Sequence, residues 1–326
     1  MLDDTLKKLR RQYGDEALFL LEQFPKSDIV GISTGSLSLD TAIGVGGVPK
    51  GRFTELYGCD GSGKTTLCQH IVANAQKDGL VCAYIDVENV IDVAYAEACG
   101  VDLSSLYLSQ PDFAEEALGI AELLVKSGEF GVVVIDSIAA LSPEKESEGE
   151  FEDKNVTGMQ RAKLLNVFFR RTVKSARTND VAVVFTNQIR DNTKSFFGGT
   201  KPTGGRGLKH YASVRIELKP KYKGEIKSDG VIIGQEIDAV VKKNKVSAPW
   251  ALATFTIYAG SGIDLASDVL GMGIELGVLK KRGSYITYEG EVLAQGKATT
   301  ASVIRESPEL MDCLLKEIDV VSEALG

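Results

Sequence analysis

The chain has 326 residues, enough for one large α/β domain with one or two small appendages, and its 44% hydrophobic and 25% charged content is ordinary for a globular protein. No apolar run approaches the ~20 residues of a membrane-spanning helix, which excludes a membrane-embedded class. The net charge of −8 argues, taken alone, against a nucleic-acid partner, and five cysteines without metal spacing argue for reduced thiols rather than a disulfide framework.

In chain order, residues 3–23 predict a helix broken near Gly14. The stretch 1–12 is charged and amphipathic rather than a secretion leader, so a cytoplasmic location is expected. Residues 25–28 predict a linker, and the glycine-rich stretch 43–51 a functional loop. Residues 53–57 predict a strand and 66–76 a helix. Between them stands Gly58-Cys59-Asp60-Gly61-Ser62-Gly63-Lys64-Thr65, the full phosphate-loop pattern in its strand-to-helix setting. Glycines there let backbone N–H groups close around phosphate oxygens, with the helix dipole facing them. Lys64 reaches the β/γ-phosphates and the Thr65 hydroxyl holds Mg²⁺. With Thr66 opening the helix, the segment predicts binding of a nucleoside triphosphate with its Mg²⁺.

Apolar, β-branched runs at 81–86, 132–136 and 181–186 predict further strands, alternating with helices as in a parallel sheet covered on both faces. Three side chains at strand ends then complete a hydrolytic site. Asp136 closes the run Val132-Val133-Val134-Ile135-Asp136 and would hold the Mg²⁺ shell through water. Glu88 follows the neighbouring strand and suits the base that deprotonates the attacking water. Gln188 ends a third strand and suits a γ-phosphate sensor. A second glycine-rich segment spans 197–207. Beyond Gly260-Ser261-Gly262 the chain changes character and runs through 267–275 and 285–290 to a final helix at 308–325.

Charge is segregated by segment. Residues 154–177 hold seven basic residues and no acidic one, while 190–223 hold nine against Asp191 and Glu217. An acidic run, Glu144, Glu146, Glu148, Glu150, Glu152 and Asp153, lies just upstream. These local basic excesses outweigh the negative net charge and point to a polyanion partner.

Several motifs are more specific than a phosphate loop. They are Gly35-Ser36-Leu37-Ser38-Leu39, Tyr84-Ile85-Asp86-Val87-Glu88, Ser109-Gln110-Pro111-Asp112, Asn187-Gln188-Ile189-Arg190, the segment 203–215, and Val241-Lys242-Lys243-Asn244-Lys245. With the phosphate loop and the 132–136 strand, in this order and over nearly the whole chain, they resemble bacterial-type RecA recombinases. The resemblance implies an α/β fold in three parts. A RecA-type P-loop ATPase core with a mostly parallel central sheet spans 31–262. A short N-terminal helical arm and linker, 1–30, packs on the next subunit, and a small α/β C-terminal domain, 263–326, engages duplex DNA.

The same resemblance implies a DNA-dependent ATPase that hydrolyses ATP to ADP and phosphate. It implies helical filaments on single-stranded DNA, with homologous pairing and strand exchange against double-stranded DNA in recombination and repair. Carried over by position, Asp92 and Tyr95 contact adenine, and Lys243 and Lys245 reach across the subunit interface to the γ-phosphate like a finger supplied in trans. Two DNA loops span about 148–159 and 191–208. The implied DNA contacts there are Arg161, Arg190, Gly204, Gly205, Arg206 and Lys209. Val156 and Thr193 stand at the wedge positions, with Phe197 or Phe196 as substitutes, and Lys281, Arg282 and Lys297 form a duplex-capturing patch.

Three features depart from the family's pattern. His210 stands where an aromatic is usual, Asp238 replaces a basic residue tied to repressor self-cleavage, and the chain ends at Gly326 without an acidic tail. They fit a divergent member, with a phage source open. Two other classes also stay open: a ring-forming motor or helicase on the same core, and a DNA-coating scaffold that uses ATP only as a switch.

Overall fold

The computed structural model describes residues 2–18, 20, 22, 29–144, 154–191, 200–202 and 207–325. The linker expected at 25–28 and the acidic residues at 146–153 lie outside the described residues, as do Thr193, Phe196, Phe197, Gly204, Gly205 and Arg206. For Val156 and Arg190 the backbone alone is described.

The first helix, α1 (Leu2–Tyr13), gives way to Gly14 at φ 93°, a conformation that ends it where the sequence pattern breaks. A short antiparallel pair, β1 (Gly31–Ile32) with β2 (Val48–Pro49), brackets α2 (Leu37–Ile43). The central sheet follows. Strands β3 (Phe53–Gly58), β4 (Cys82–Asp86), β5 (Leu106–Ser109), β6 (Val132–Asp136) and β7 (Ala182–Asp191) are parallel neighbours in the order β3-β7-β6-β4-β5. Helices α3 (Lys64–Lys77), α4 (Val93–Ala98), α5 (Ala114–Ser127) and α6 (Lys154–Thr178) connect them.

Strand alternation assigns the two faces. Val132 and Val134 turn toward Leu67, Ile71 and Val72 of α3, while Val133 and Ile135 turn toward Ala117 and Ala121 of α5 and Leu165 and Phe169 of α6. On that second face Phe53, Phe168, Phe169 and Phe185 form a cluster with ring centroids 5.6–6.4 Å apart. Each such ring is worth about 3–5 kcal/mol against alanine, so the cluster fixes α6 on the sheet.

Past β7 the chain turns back as β8 (Thr200–Pro202), enters the short helix α7 (Gly207–Tyr211) and continues as β9 (Val214–Ser228), parallel to β3 on its other side. From there the sheet becomes antiparallel through β10 (Val231–Asn244), β11 (Leu252–Tyr258) and β12 (Gly262–Ile263), strands that the apolar patterns did not predict. The β9–β10 hairpin closes on Asp229 and Gly230 at φ 50° and 81°, the two left-handed residues of a type I′ turn.

The C-terminal unit has its own core around Val269, Leu279, Ile286, Ile304 and Ile318. It comprises α8 (Leu265–Glu275), the sheet β13 (Lys280–Arg282), β14 (Tyr285–Tyr288) and β15 (Glu291–Gln295), then α9 (Lys297–Glu306) and α10 (Pro308–Leu325). Asp268 ties it to α2 by accepting Ser36 Oγ at 2.7 Å and the Ser38 N–H at 3.2 Å at the start of that helix. The Ile263 N–H donates to His70 Nε2 at 2.8 Å, and burial, helped by Lys77, pulls that imidazole's pKa down to about 4, so it stays a neutral acceptor. Cys68 and Cys82 pack as small buried groups, and no helix among the described residues is long and apolar enough to cross a membrane.

Candidate active site

Strand β3 delivers Gly58 to the carboxyl edge of the sheet, and α3 starts at Lys64 directly behind the loop, capped by Gly63 at φ 84°. First-turn N–H groups of such a helix lack intrahelical partners and favour an anion. The backbone comes close because side chains are excluded: a Cβ at Gly58 would strike the Leu218 carbonyl, and one at Gly63 would strike Ile257. The buried Ser62 hydroxyl, packed against Gly58, has no partner among the described residues. Residues Gly61 to Thr66, with Gln235, Ile237 and Ile257 opposite, line a cleft of about 250 Å³. Cys59 and Asp60 are exposed on the loop, and the Lys64 ammonium lies over it, donating to the carbonyls of Gly58 at 3.2 Å and Cys59 at 2.8 Å.

Asp136 ends β6 almost buried and accepts three hydroxyls. Thr65 Oγ1 (2.8 Å) and Tyr84 OH (2.6 Å) share one oxygen, and Thr186 Oγ1 donates to the other. Register makes this meeting possible. Tyr84 lies beside Val134 and Phe185 beside Ile135, so Tyr84, Asp136 and Thr186 share the face that carries α3. Burial, then the Asp136 charge, push the Tyr84 phenol well above its ordinary pKa, so it remains a donor. A hydroxyl and a carboxylate converging beside a phosphate loop are oxygen donors of the kind Mg²⁺ takes.

Glu88 Oε1 accepts Ser137 Oγ at 2.5 Å and lies 3.5 Å from Gln188 Nε2, so the expected base and the expected sensor touch. The Val87 N–H donates to the Asp136 carbonyl at 2.7 Å and holds the two strand ends together. Asp92 caps α4 by accepting the Tyr95 N–H at 3.0 Å, and Tyr95 OH stands 3.1 Å from Thr66 Oγ1, so the two residues expected to contact adenine lie beside the loop.

Lys243 and Lys245 are not part of this cluster within one subunit. Lys243 lies directly opposite Arg215, which lies opposite Glu55, on the face away from α3. Its ammonium donates to the carbonyls of Lys209 at 2.8 Å and His210 at 2.9 Å, and Lys245 is exposed beyond it.

The basic segments divide in the same way. Lys209, Lys281, Arg282 and Lys297 are exposed, whereas the Arg161 guanidinium donates to the Ala139 carbonyl at 2.6 Å, just past the end of β6. Arg215, Lys219 and Lys221 are ion-paired with Glu55, Glu217 and Glu236, so part of the basic excess at 190–223 belongs to the hairpin's own pairing. Tyr84, Thr186 and Ser137 were missed by motif reading. The available signals were a tyrosine interrupting an apolar strand and a serine directly after Asp136.

Two family models match the chain in succession. The family model described as the RecA N-terminal domain matches residues 1–264, and the one described as the RecA C-terminal domain matches residues 267–321. The chain is 42% identical to Protein RecA of Rubrobacter xylanophilus over 97% of its own length and 91% of that protein. It is 42% identical to Protein RecA of Streptomyces avermitilis over 100% and 85%, and 40% identical to that of Rickettsia prowazekii over 98% and 94%. These relatives are bacterial, and a phage source finds no support among them. The chain belongs to the RecA family.

Proposed function

We propose that this protein is an ATP-dependent DNA recombinase and a DNA-dependent ATPase that coats single-stranded DNA as a helical filament and exchanges strands with duplex DNA in the cytoplasm. The observation that carries the reading is the convergence of Thr65, Asp136, Glu88 and Gln188 beside the phosphate loop, while Lys243 and Lys245 stand apart from that cluster. Lys64 and the loop N–H groups hold the ATP phosphates, and Tyr95 and Asp92 meet the adenine. Bound Mg²⁺, held by Thr65 and through water by Asp136, supplies charge neutralisation at the phosphates. Glu88 takes the proton of the attacking water, and Gln188 senses the γ-phosphate from within β7, the strand that leads into the second DNA loop. Lys243 and Lys245 complete the site of a neighbouring subunit, so ATP acts as an assembly signal. The arm at 1–30 packs on that neighbour, the core at 31–262 carries the chemistry, and the unit at 263–326 offers Lys281, Arg282 and Lys297 to duplex DNA.

Lys64→Ala is expected to fold normally and lose nucleotide-dependent assembly, because among the described residues its hydrogen-bond partners are two carbonyls of its own loop. Light scattering with and without ATP checks this. Assembly at the wild-type ATP concentration would show that Lys64 does not bind the phosphates.

Affinity for single-stranded DNA is expected to fall steeply with salt, since phosphate neutralisation releases about 0.7 counterion per contact on single strands. Alanine at Arg206 and at Lys209 each removes about one contact from the slope of log K against log salt. Arg161→Ala does the same only if the guanidinium exchanges the Ala139 carbonyl for a phosphate. An unchanged slope in all three variants places the DNA path elsewhere.

A further inference from the structure

The sheet face away from α3 carries an ion pair to which the proposed mechanism gives no role. Glu55 on β3 and Arg215 on β9 are directly opposite one another and bonded, with side chains only 2% and 8% exposed. Burying two charges costs several kcal/mol per ion, and such a pair is often replaceable by apolar side chains without loss of stability. Stability is therefore a weak reason for its presence. Its surroundings suggest a better one. The second Glu55 oxygen accepts Asn187 Nδ2 at 2.8 Å, and the Arg215 guanidinium rests 4.7 Å from the centre of the Tyr57 ring, so neither charge can swing away.

On its other side Arg215 faces Lys243. A bulge between Val241 and Lys243 shifts the register, pairing Val241 with Ile216 but Lys243 with Arg215. Without that extra residue Lys243 would pair with Val214 and face the α3 side. The bulge thus re-aims Lys243 onto the Glu55–Arg215 platform, where two backbone carbonyls of α7 hold its ammonium. Three cations surround it: Lys245 just past the end of β10, Arg215 on β9 and Lys209 on α7. Glu55 is the anion that opposes them.

We infer that Glu55 is a positioning residue of the ATPase: by neutralising and fixing Arg215, it holds the Lys243 ammonium charged and aimed at the neighbouring subunit. This rests on the proposed trans role of Lys243. Burial, then Lys245 and Arg215, already draw the Lys243 pKa down to about 8, with Glu55 pulling the other way. Glu55→Gln keeps an acceptor for Asn187 and leaves the Arg215 charge unopposed. The Lys243 ammonium then loses its proton at lower pH, and the alkaline limb of kcat/KM for ATP moves down accordingly.

The experiment uses full-length protein on single-stranded DNA. Glu55→Gln is expected to lose DNA-stimulated turnover by about ten- to hundredfold, part of the three to five orders that a cation supplied in trans is worth. Mixed with Glu88→Gln, it should exceed the sum of the separate proteins, because its own ATP site is intact and needs only a competent lysine donor. Mixed with Lys243→Ala it should not, because both are deficient as donors. Wild-type turnover, an unmoved alkaline limb, or rescue by Lys243→Ala overturns the inference.

If Lys243→Ala itself fails to complement Glu88→Gln, the trans reading falls and this inference with it. If that pair complements and Glu55→Gln with Glu88→Gln does not, only the inference falls. Should Glu55→Gln not fold, the apolar pair Glu55→Leu/Arg215→Met is put through the same mixtures. With no Arg215 charge left to neutralise, donor competence and an unmoved alkaline limb support the proposal, and the donor-deficient pattern overturns it.

Discussion

Glu88→Gln is expected to lower DNA-dependent ATP hydrolysis by about 10²–10⁴-fold, the usual worth of a positioned general base, while ATP binding and assembly on DNA persist. The amide is nearly isosteric with the carboxylate, and its oxygen still accepts the Ser137 hydroxyl that fixes this side chain at 2.5 Å. What it loses is the ability to take a proton from water, a need felt only in the transition state. The loss should therefore fall on kcat, with the ATP concentration for half-maximal assembly unchanged. Steady-state turnover beside nucleotide-dependent light scattering separates the two, and turnover at the wild-type rate would falsify the assignment of the base.

Lys243→Ala and Lys245→Ala should behave differently. Each is expected to fold, to bind ATP as a monomer, and to lose about 10³-fold or more of the DNA-stimulated rate together with cooperative assembly, by analogy with a catalytic arginine supplied in trans. The Lys243 side chain lies on the face away from α3, and its ammonium is held by α7 carbonyls rather than by its own phosphate loop. A cation offered to another subunit favours the transition state only when subunits stack, so the defect must appear with assembly. Mixtures of Lys243→Ala with Glu88→Gln should then regain activity, because interfaces of one order pair an intact Glu88 with intact lysines. Co-assembled mixtures that never exceed the sum of the separate proteins would place these lysines in cis or in the fold alone.

The parts of this site that were legible in the sequence are the local ones. Residues 58–65 specify a loop by composition and spacing, and the runs ending at Asp86 and Asp136 are apolar enough to mark strands buried on both faces. The hydroxyls of Tyr84 and Thr186 were not legible as ligands of Asp136, because only the β4-β6-β7 register brings three distant strands together. The antiparallel half of the sheet was missed for another reason. Its first strand carries Lys219 and Lys223 on exposed positions and half-buried Lys221 between them, which in sequence look like a basic loop for a polyanion. The Asp229-Gly230 pair directly ahead of the β-branched run Val231-Ile232-Ile233 was the signal for the hairpin. The orientation of Lys243 depends on a bulge, and one inserted residue in a ladder leaves no mark in composition or periodicity.

Strand exchange, as opposed to mere coating of DNA, is the property on which the proposed function turns. Circular single-stranded DNA, homologous linear duplex, ATP and Mg²⁺ are incubated with the protein, and joint molecules are followed with time. Joint molecules that mature to nicked circles are expected with the wild-type protein, and none with Lys64→Ala. Protein that coats the single strand in an ATP-dependent manner and hydrolyses ATP, yet forms no joint molecules with homologous duplex, would contradict the recombinase function and leave an ATP-switched scaffold in its place.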